Sequence, residues 1–162
     1  MTDHAPHVRV TVRVVLVDES DQLLLFSSGT EADGSLRWYT VGGGVEHGES
    51  LQAAALREVR EETGLTGVTL SSEVWTGQPW QTVREGITYE VRQHYFMARV
   101  PAFEVDTSGF ENFERCLVTG HRWWTLDDLR ATGDTLRPAT LPALFEQLLT
   151  EGPPSEPLMV DG

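Results

Sequence analysis

The residues best suited to chemistry are three closely spaced glutamates, Glu58, Glu61 and Glu62. On a helix, spacings of three and four residues place their carboxylates on one face, within reach of a shared ion. Like charges at this spacing weaken an isolated helix by roughly 0.2 to 0.5 kcal/mol per pair, and carboxylate oxygens are the ligands that Mg²⁺ and Mn²⁺ prefer. The cluster therefore suggests a bound divalent cation. A solvated acidic face with Arg57 and Arg60 as counterions is the alternative.

The residues before this cluster are typical of a phosphate-binding turn that enters a helix. Gly42–Gly44 bring backbone close to the helix entrance, where a phosphate meets no side-chain obstruction. Ser50 is placed to cap a helix that runs to about Thr63, and Gly64 follows where a left-handed terminal residue belongs. Glu49, just before the helix, is placed to turn back toward the acidic face.

The spacing of the whole segment resembles the Nudix box of MutT-like hydrolases at every defined position. The matching residues are Gly43, then Glu49 after five residues, Arg57-Glu58-Val59 after seven, Glu61-Glu62 after one and Gly64-Leu65 after one more. One departure lies upstream, where many members have proline and this chain has Val41. That position shapes the turn rather than the chemistry. The resemblance implies an α/β protein with the Nudix fold, an α/β/α sandwich around a central mixed sheet.

The resemblance also implies a role for each matching residue. The expected ligands of Mg²⁺ or Mn²⁺ are Glu58, Glu62, Glu61 and the carbonyl of Gly43. Glu61 is a further ligand or the general base. Glu49 joins the metal site, where Arg57 holds it through a salt bridge, and Glu61, Glu49 and Arg57 are the expected catalytic residues. In the family, such a site polarises a diphosphate and activates the water that attacks phosphorus.

The implied reaction is metal-dependent hydrolysis of a phosphoanhydride bond in a nucleoside diphosphate linked to another group. A nucleoside triphosphate, oxidised or not, leads as the substrate. The alternatives are a nucleotide-sugar or ADP-ribose pyrophosphatase, and a Nudix domain that binds a nucleotide as a sensor without cleaving it. Sensors of this kind commonly lack one or more glutamates of the box, whereas this chain keeps all four. The sequence therefore favours an enzyme.

Residues outside the box are weaker candidates for substrate binding. Among the tryptophans, Trp38 lies nearest the box and ranks first as a surface on which a nucleobase stacks, against the alternative of a core position. Glu111 and Glu114 are candidates for an extra ligand or base, or are exposed loop acids. His94 is likewise either a ligand or base at the metal site or a residue of a strand whose side chain is bonded to a neighbour. The second alternative is favoured. Three arginines are unranked candidates for pairing with phosphates: Arg84, Arg92 and Arg115.

Hydrophobic patterning places the box within a single domain over residues 1–152. Strands are predicted over residues 8–16, 22–26, 36–41, 68–75, 87–100 and 121–125, with loops over 27–35 and 101–114. A helical turn is expected over 126–131 and a C-terminal helix over 141–149. The tail, residues 153–162, contains prolines and few apolar residues, which predicts disorder.

The composition limits the partners and the compartment. The chain has 162 residues and a formal net charge of −13, and an acidic surface repels polyanions, which disfavours duplex nucleic acid. The lone Cys116 cannot form an intrachain disulfide. The N-terminus does not resemble a signal peptide and no apolar run reaches the roughly 18 residues of a membrane span. We expect a cytoplasmic protein that acts on a small nucleotide away from membranes. Homodimers are common in the family, although no residue here demonstrates one.

Overall fold

The computed structural model describes residues 5–30, 34–109 and 118–161, in which nine strands and three helices are found. The strands are β1 (His7–Val17), β2 (Leu23–Thr30), β3 (Leu36–Gly44), β4 (Trp75–Gly77), β5 (Trp80–Arg84), β6 (Ile87–Arg99), β7 (Val118–Trp124), β8 (Thr135–Arg137) and β9 (Leu158–Val160). The helices are α1 (Leu51–Thr63), α2 (Leu126–Ala131) and α3 (Leu141–Glu151).

The strands form one mixed sheet in the order β7-β2-β3-β1-β6-β4-β9, with β5 beside β6 and β8 beside β3. At its centre β1 pairs in parallel with β6, from His7 opposite Tyr89 to Val17 opposite Arg99. On its other side β1 pairs antiparallel with β3. The predicted α/β/α sandwich with a central mixed sheet is confirmed.

A separate hydrophobic core fills each face of the sheet. Because successive side chains of a strand point to opposite faces, Val12, Val14 and Leu16 of β1 pack with α1, whereas Val15 and Val17 join the core on the α3 side. All five are fully buried. This alternation identifies the face on which any other residue of β1 or its partner strands lies.

The caps of α1 form as predicted. The hydroxyl of Ser50 accepts the backbone N–H of Ala53, and Gly64 adopts φ 78° while its N–H donates to the carbonyl of Arg60. Both caps rest on contacts within a few residues, so the local sequence determines the start and end of this helix.

Residues 68–74 do not form the strand that their apolar pattern predicted, and only β4 follows them. The hydroxyl of Ser71 accepts the N–H of Met97 while the Ser71 N–H donates to the Met97 carbonyl. Val74 then makes one backbone bond to β6, from its N–H to the carbonyl of Tyr95, while its own carbonyl accepts the N–H of Leu158. The segment is thus fastened to β6 at separate points, partly by a side chain, rather than through a continuous ladder.

The hairpin of β5 and β6 was not predicted. The strands are joined by Glu85 and Gly86, both with positive φ, 51° and 77°, as expected for the tight turn that matches the twist of a two-residue hairpin. Asn, Asp and Gly are preferred at the first of these positions. Because Glu85 stands there instead, the sequence indicates a hairpin turn only weakly.

The predicted disorder of residues 153–162 and the predicted loop over 27–35 also need correction. Residues 158–160 form β9, which pairs in parallel with β4, and Val160 is 5% exposed. Asp161 accepts hydrogen bonds from the Ala139 N–H and the Thr140 hydroxyl. Composition indicated disorder, but the sheet edge and the start of α3 provide these partners.

The predicted loop over residues 27–35 is shorter than expected. Strand β2 extends to Thr30 because it pairs with both β3 and β7.

Candidate functional site

The acidic face of α1 is buried against the sheet. Glu58 and Glu62 are only 3% and 4% exposed, so the alternative of a solvated acidic face is wrong for these two residues. They lie on the side that carries the buried Ala55 and Val59. A buried carboxylate is costly unless it is paired or hydrogen-bonded. Neighbouring residues must therefore provide partners for Glu58 and Glu62.

Two glycines of β3 make room for these carboxylates. A Cβ atom added to Gly43 would lie 2.5 Å from Oε1 of Glu58 and 2.8 Å from its Oε2. The N–H of Gly42 donates to Oε2 of Glu62 over 2.8 Å. The carboxylate of Glu58 therefore occupies the space that a side chain at Gly43 would fill, and the carboxylate of Glu62 is held by the backbone N–H of Gly42.

The guanidinium of Arg57 connects three carboxylates. Its Nε and Nη2 donate to the two oxygens of Glu49 over 2.9 and 3.0 Å. Its Nη1 donates to Glu58 over 2.9 Å and to Glu61 over 3.2 Å, and Nη2 also donates to the carbonyl of Gly44 over 2.8 Å. The predicted return of Glu49 toward the helix and its salt bridge with Arg57 are both present.

This network shifts the protonation of its members. The hydrogen bonds from Arg57 and, next, from the backbone N–H of Glu46 lower the pKa of Glu49 to about 2. The pKa of Arg57 is raised, chiefly because it donates to Glu49, with Glu58 adding to the effect. Glu49 and Arg57 are therefore a stable ion pair at neutral pH.

Glu61 is the most accessible of the three helix glutamates, with a side chain 24% exposed against 4% for Glu58. Solvent can reach its carboxylate without displacing the helix. Its carboxylate accepts a hydrogen bond from Arg57, one turn earlier on the helix. The cluster thus contains two buried carboxylates and one at its solvent boundary.

The donor chemistry of the cluster fits a hard divalent cation, since it consists of carboxylate oxygens beside a glycine that leaves space for Glu58. Their orientation is a different matter. Within residues 5–30, 34–109 and 118–161, no three His, Cys, Asp or Glu side chains are arranged to hold one metal ion. Glu58 and Glu61 instead turn toward Arg57, and Glu62 toward the Gly42 N–H. Binding an ion would require these side chains to reorient.

Comparison with known proteins identifies the family. The family model of the NUDIX domain matches residues 7–144. The chain belongs to the Nudix family. Nudix hydrolase 25 of Arabidopsis thaliana is 38% identical to it over 74 residues, which are 46% of this chain and 41% of that protein. The match therefore spans less than half of the relative's length.

Solved structures show the Nudix fold across most of the chain. The MutT protein from Methanosarcina mazei Go1 has a TM-score of 0.64 and 21% identity, and the alignment covers 92% of this chain and 98% of that one. The NUDIX domain of Shewanella oneidensis NrtR, solved with ADP ribose, has a TM-score of 0.63 and 19% identity over 91% of each chain. Nudix hydrolases generally use divalent metal ions. None of the helices in the described ranges is long and apolar enough to cross a membrane.

Trp38 is not a stacking surface beside the Nudix helix. It is 7% exposed, belongs to the core on the α3 side of the sheet and meets Trp124 edge-on with ring centroids 5.0 Å apart. Its indole N–H donates to Asp134 over 2.9 Å. Aromatic residues on the α1 side include Tyr39 and Trp123, which are partly buried. Glu111, Glu114, Arg115 and Cys116 lie outside the described residues.

A contact that the motif could not indicate lies two strands from the box. Nδ1 of His94 in β6 is 3.0 Å from both carboxylate oxygens of Glu73, and the hydroxyl of Thr76 donates to the same carboxylate. The prediction of a locally satisfied strand histidine is confirmed for Nδ1. Glu73 lies in the segment that was expected to be a strand but is not one. Its contact with His94, 21 residues later, depends on the path of this segment, which the sequence does not indicate.

Proposed function

We propose that this Nudix protein is a divalent-metal-dependent pyrophosphohydrolase that cleaves a phosphoanhydride bond in a nucleoside diphosphate linked to another group. The observation that supports it best is the burial of Glu58 and Glu62 against the two glycines that end β3. Packing alone does not explain why glutamates occupy these positions, because apolar side chains of similar volume would fill the same space with a smaller loss of folding stability. A ligand that needs the carboxylates provides the reason for keeping them.

Each residue then has a role that its position supports. Glu58, Glu62 and the carbonyl of Gly43 would hold the ion, and Glu61 would take the proton of the attacking water, because it is the carboxylate that solvent reaches. Arg57 keeps Glu49 ionised and close to the helix. A divalent ion at this site would polarise the diphosphate and activate water for attack on phosphorus.

A nucleoside triphosphate, oxidised or not, is the first candidate for the substrate. ADP-ribose and nucleotide sugars are the alternatives within the same reaction class, and the NUDIX domain of NrtR with ADP ribose shows that this fold accommodates such a ligand. A sensor that binds a nucleotide without cleaving it is disfavoured because Glu49, Glu58, Glu61 and Glu62 are all present.

The test is a screen of the purified protein against triphosphates, oxidised triphosphates, nucleotide sugars, ADP-ribose, NADH and dinucleoside polyphosphates. Each is assayed with Mg²⁺, with Mn²⁺ and with EDTA. We expect metal-dependent release of a nucleoside monophosphate. Absence of turnover together with tight nucleotide binding would instead establish the sensor.

Glu62→Gln tests the metal site within the same screen. Its amide oxygen can still accept the Gly42 N–H, so folding should be retained while turnover falls about 100- to 1,000-fold, as when one electrostatic stabilising group is removed. Glu156→Gln, at an exposed position of the tail, is the matched control and should behave as wild type. Equal turnover in both variants would exclude Glu62 as a ligand.

A further inference from the structure

Strand register places His94 in line with the Nudix glycine. Gly43 of β3 pairs with Val12 of β1, Val12 pairs with His94 of β6, and His94 pairs with Thr76 of β4. These four residues form one row across the sheet. Adjacent strands lie about 4.8 Å apart, so the Cα atoms of Gly43 and His94 are about 10 Å apart.

His94 also lies on the same face of the sheet as the acidic helix. Its strand neighbour Phe96, two residues on, packs in the core under α1, as does Val12. A Cβ atom on Gly43 would meet Glu58 of the helix. Directly paired residues share a face, so the imidazole and the Glu58 carboxylate are on one side of the sheet.

The helix no longer covers the sheet beyond this row. Along β1 toward its N-terminus, Val12 is fully buried, Val10 is partly exposed and Val8 is 51% exposed. The His94 side chain is 24% exposed. His94 therefore lies at the margin of α1, where a ligand bound beside the Nudix helix can extend over the open part of the sheet.

Glu73 fixes the orientation of the imidazole. A carboxylate only accepts hydrogen bonds, so Nδ1 of His94 carries the hydrogen in the 3.0 Å contact. The hydroxyl of Thr76, three residues later in β4, donates to the same carboxylate and fixes it further. Within the described residues Nε2 has no hydrogen-bond partner, and it lies on the side of the ring away from Glu73. Oriented in this way, Nε2 is available to a ligand.

We propose that His94 is a specificity-determining residue that binds a phosphate oxygen of the substrate, outside the phosphoanhydride that is cleaved, and that Glu73 is its positioning residue. This inference rests on the proposed function. In the imidazolium form both ring nitrogens are donors, so that Nε2 donates to the phosphate oxygen while Nδ1 donates to Glu73, and the ring separates the phosphate from this carboxylate. Arg92, two residues earlier on the same face and 51% exposed, is paired with Glu90 over 2.6 Å, so the proposed subsite rests on His94 rather than on this arginine.

His94→Gln is the direct test, with His7→Gln as the matched control. His7 is also in the sheet, next to the ring of Tyr89, but on the opposite face. For His94→Gln we expect KM for the substrate identified in the screen to rise about tenfold or more, as for one lost charge-assisted hydrogen bond, with kcat changed less than threefold. His7→Gln should leave both constants unchanged. A fall in kcat with unaltered KM would refute a binding role.

The role of Glu73 is tested by Glu73→Ala and Glu73→Gln. The alanine variant frees the ring and should raise KM, whereas the glutamine variant can still accept from Nδ1 and should restore part of the loss. If the pair only stabilises the contact between β4 and β6, both variants will lower Tm without changing KM, which overturns the assignment.

Binding of inorganic tripolyphosphate, measured by calorimetry with and without Mg²⁺, separates this inference from the proposed function. Weaker binding to His94→Gln than to wild type supports the subsite whatever the turnover. Equal binding, or no binding to wild type, overturns the subsite. If the subsite is overturned in this way but Glu62→Gln still loses turnover, the proposed hydrolase function stands without the subsite.

Discussion

Replacing Gly43 by alanine tests the packing that underlies the whole site. The new methyl group would lie 2.5 Å from Oε1, 2.7 Å from Cδ and 2.8 Å from Oε2 of Glu58. Unbonded heavy atoms normally approach no closer than about 3.5 Å. Glu58 is 3% exposed, so its carboxylate cannot simply swing into solvent, and it must move by about 1 Å or push β3 and α1 apart.

The size of the effect follows from that displacement. Overpacking a close-packed interior costs about 1 to 3 kcal/mol, which lowers Tm by about 2 to 12 °C for a domain of this size. A misplacement of about 1 Å in a catalytic group costs about 100-fold in rate. We therefore expect Gly43→Ala to lose more in turnover than in stability.

Gly44→Ala is the matched control, because the added methyl group would meet only Nη2 of Arg9, at 3.5 Å. The carbonyl of residue 44 stays available to Arg57. Thermal unfolding and steady-state kinetics of both variants, on the substrate identified in the screen, measure the difference. Wild-type Tm and turnover in Gly43→Ala would refute the claim that Glu58 needs this glycine. So would equal losses in the two variants.

Two further changes test the network and the cap. The pKa of Glu49 is about 2 when folded against an ordinary 4.5, so its contribution to stability is complete above about 4.5 and is lost as the pH falls through about 2. Glu49→Gln should flatten Tm against pH over that range, and an unchanged slope would contradict the pairing with Arg57. Gly64→Ala forces a side chain into φ 78° and within 3.0 Å of Asp106, so Tm should fall by about 2 to 8 °C. Gly133→Ala, which meets nothing within 4 Å, should not lower Tm; comparable losses in both would rule out the cap as the cause.

The parts of the fold that the sequence predicted are those specified locally. Helix α1 begins at its Ser50 cap and ends at Gly64 through contacts a few residues apart. The central strand β1 alternates apolar with polar residues along most of its length, and β6 is rich in β-branched and aromatic residues. By contrast, β9 has three residues and depends on β4, more than 80 positions earlier, for its pairing. No local pattern carries that information.

The orientation of the acidic helix shows the same limit within the site. Charged residues of an amphipathic helix normally face solvent, and a solvated acidic face is the alternative that the sequence leaves open for Glu58 and Glu62. Their burial depends on Gly42 and Gly43 in a neighbouring strand, which offer an N–H and an absent side chain. Both glycines were recognised as a turn for phosphate approach, but their contact with the helix is tertiary and only the structure shows it.

The guanidinium of Arg57 offsets part of the repulsion among the glutamates of the box. It bridges the carboxylates of Glu49, Glu58 and Glu61, which would otherwise repel one another. Arg57 is one positive charge beside four carboxylates, those of Glu49, Glu58, Glu61 and Glu62, and clustered acids near a buried position are costly. A divalent cation bound there, as proposed above, would offset the remaining negative charge. Arg57 therefore explains how the helix folds with its acids clustered, and the excess of carboxylates supports the proposed metal site.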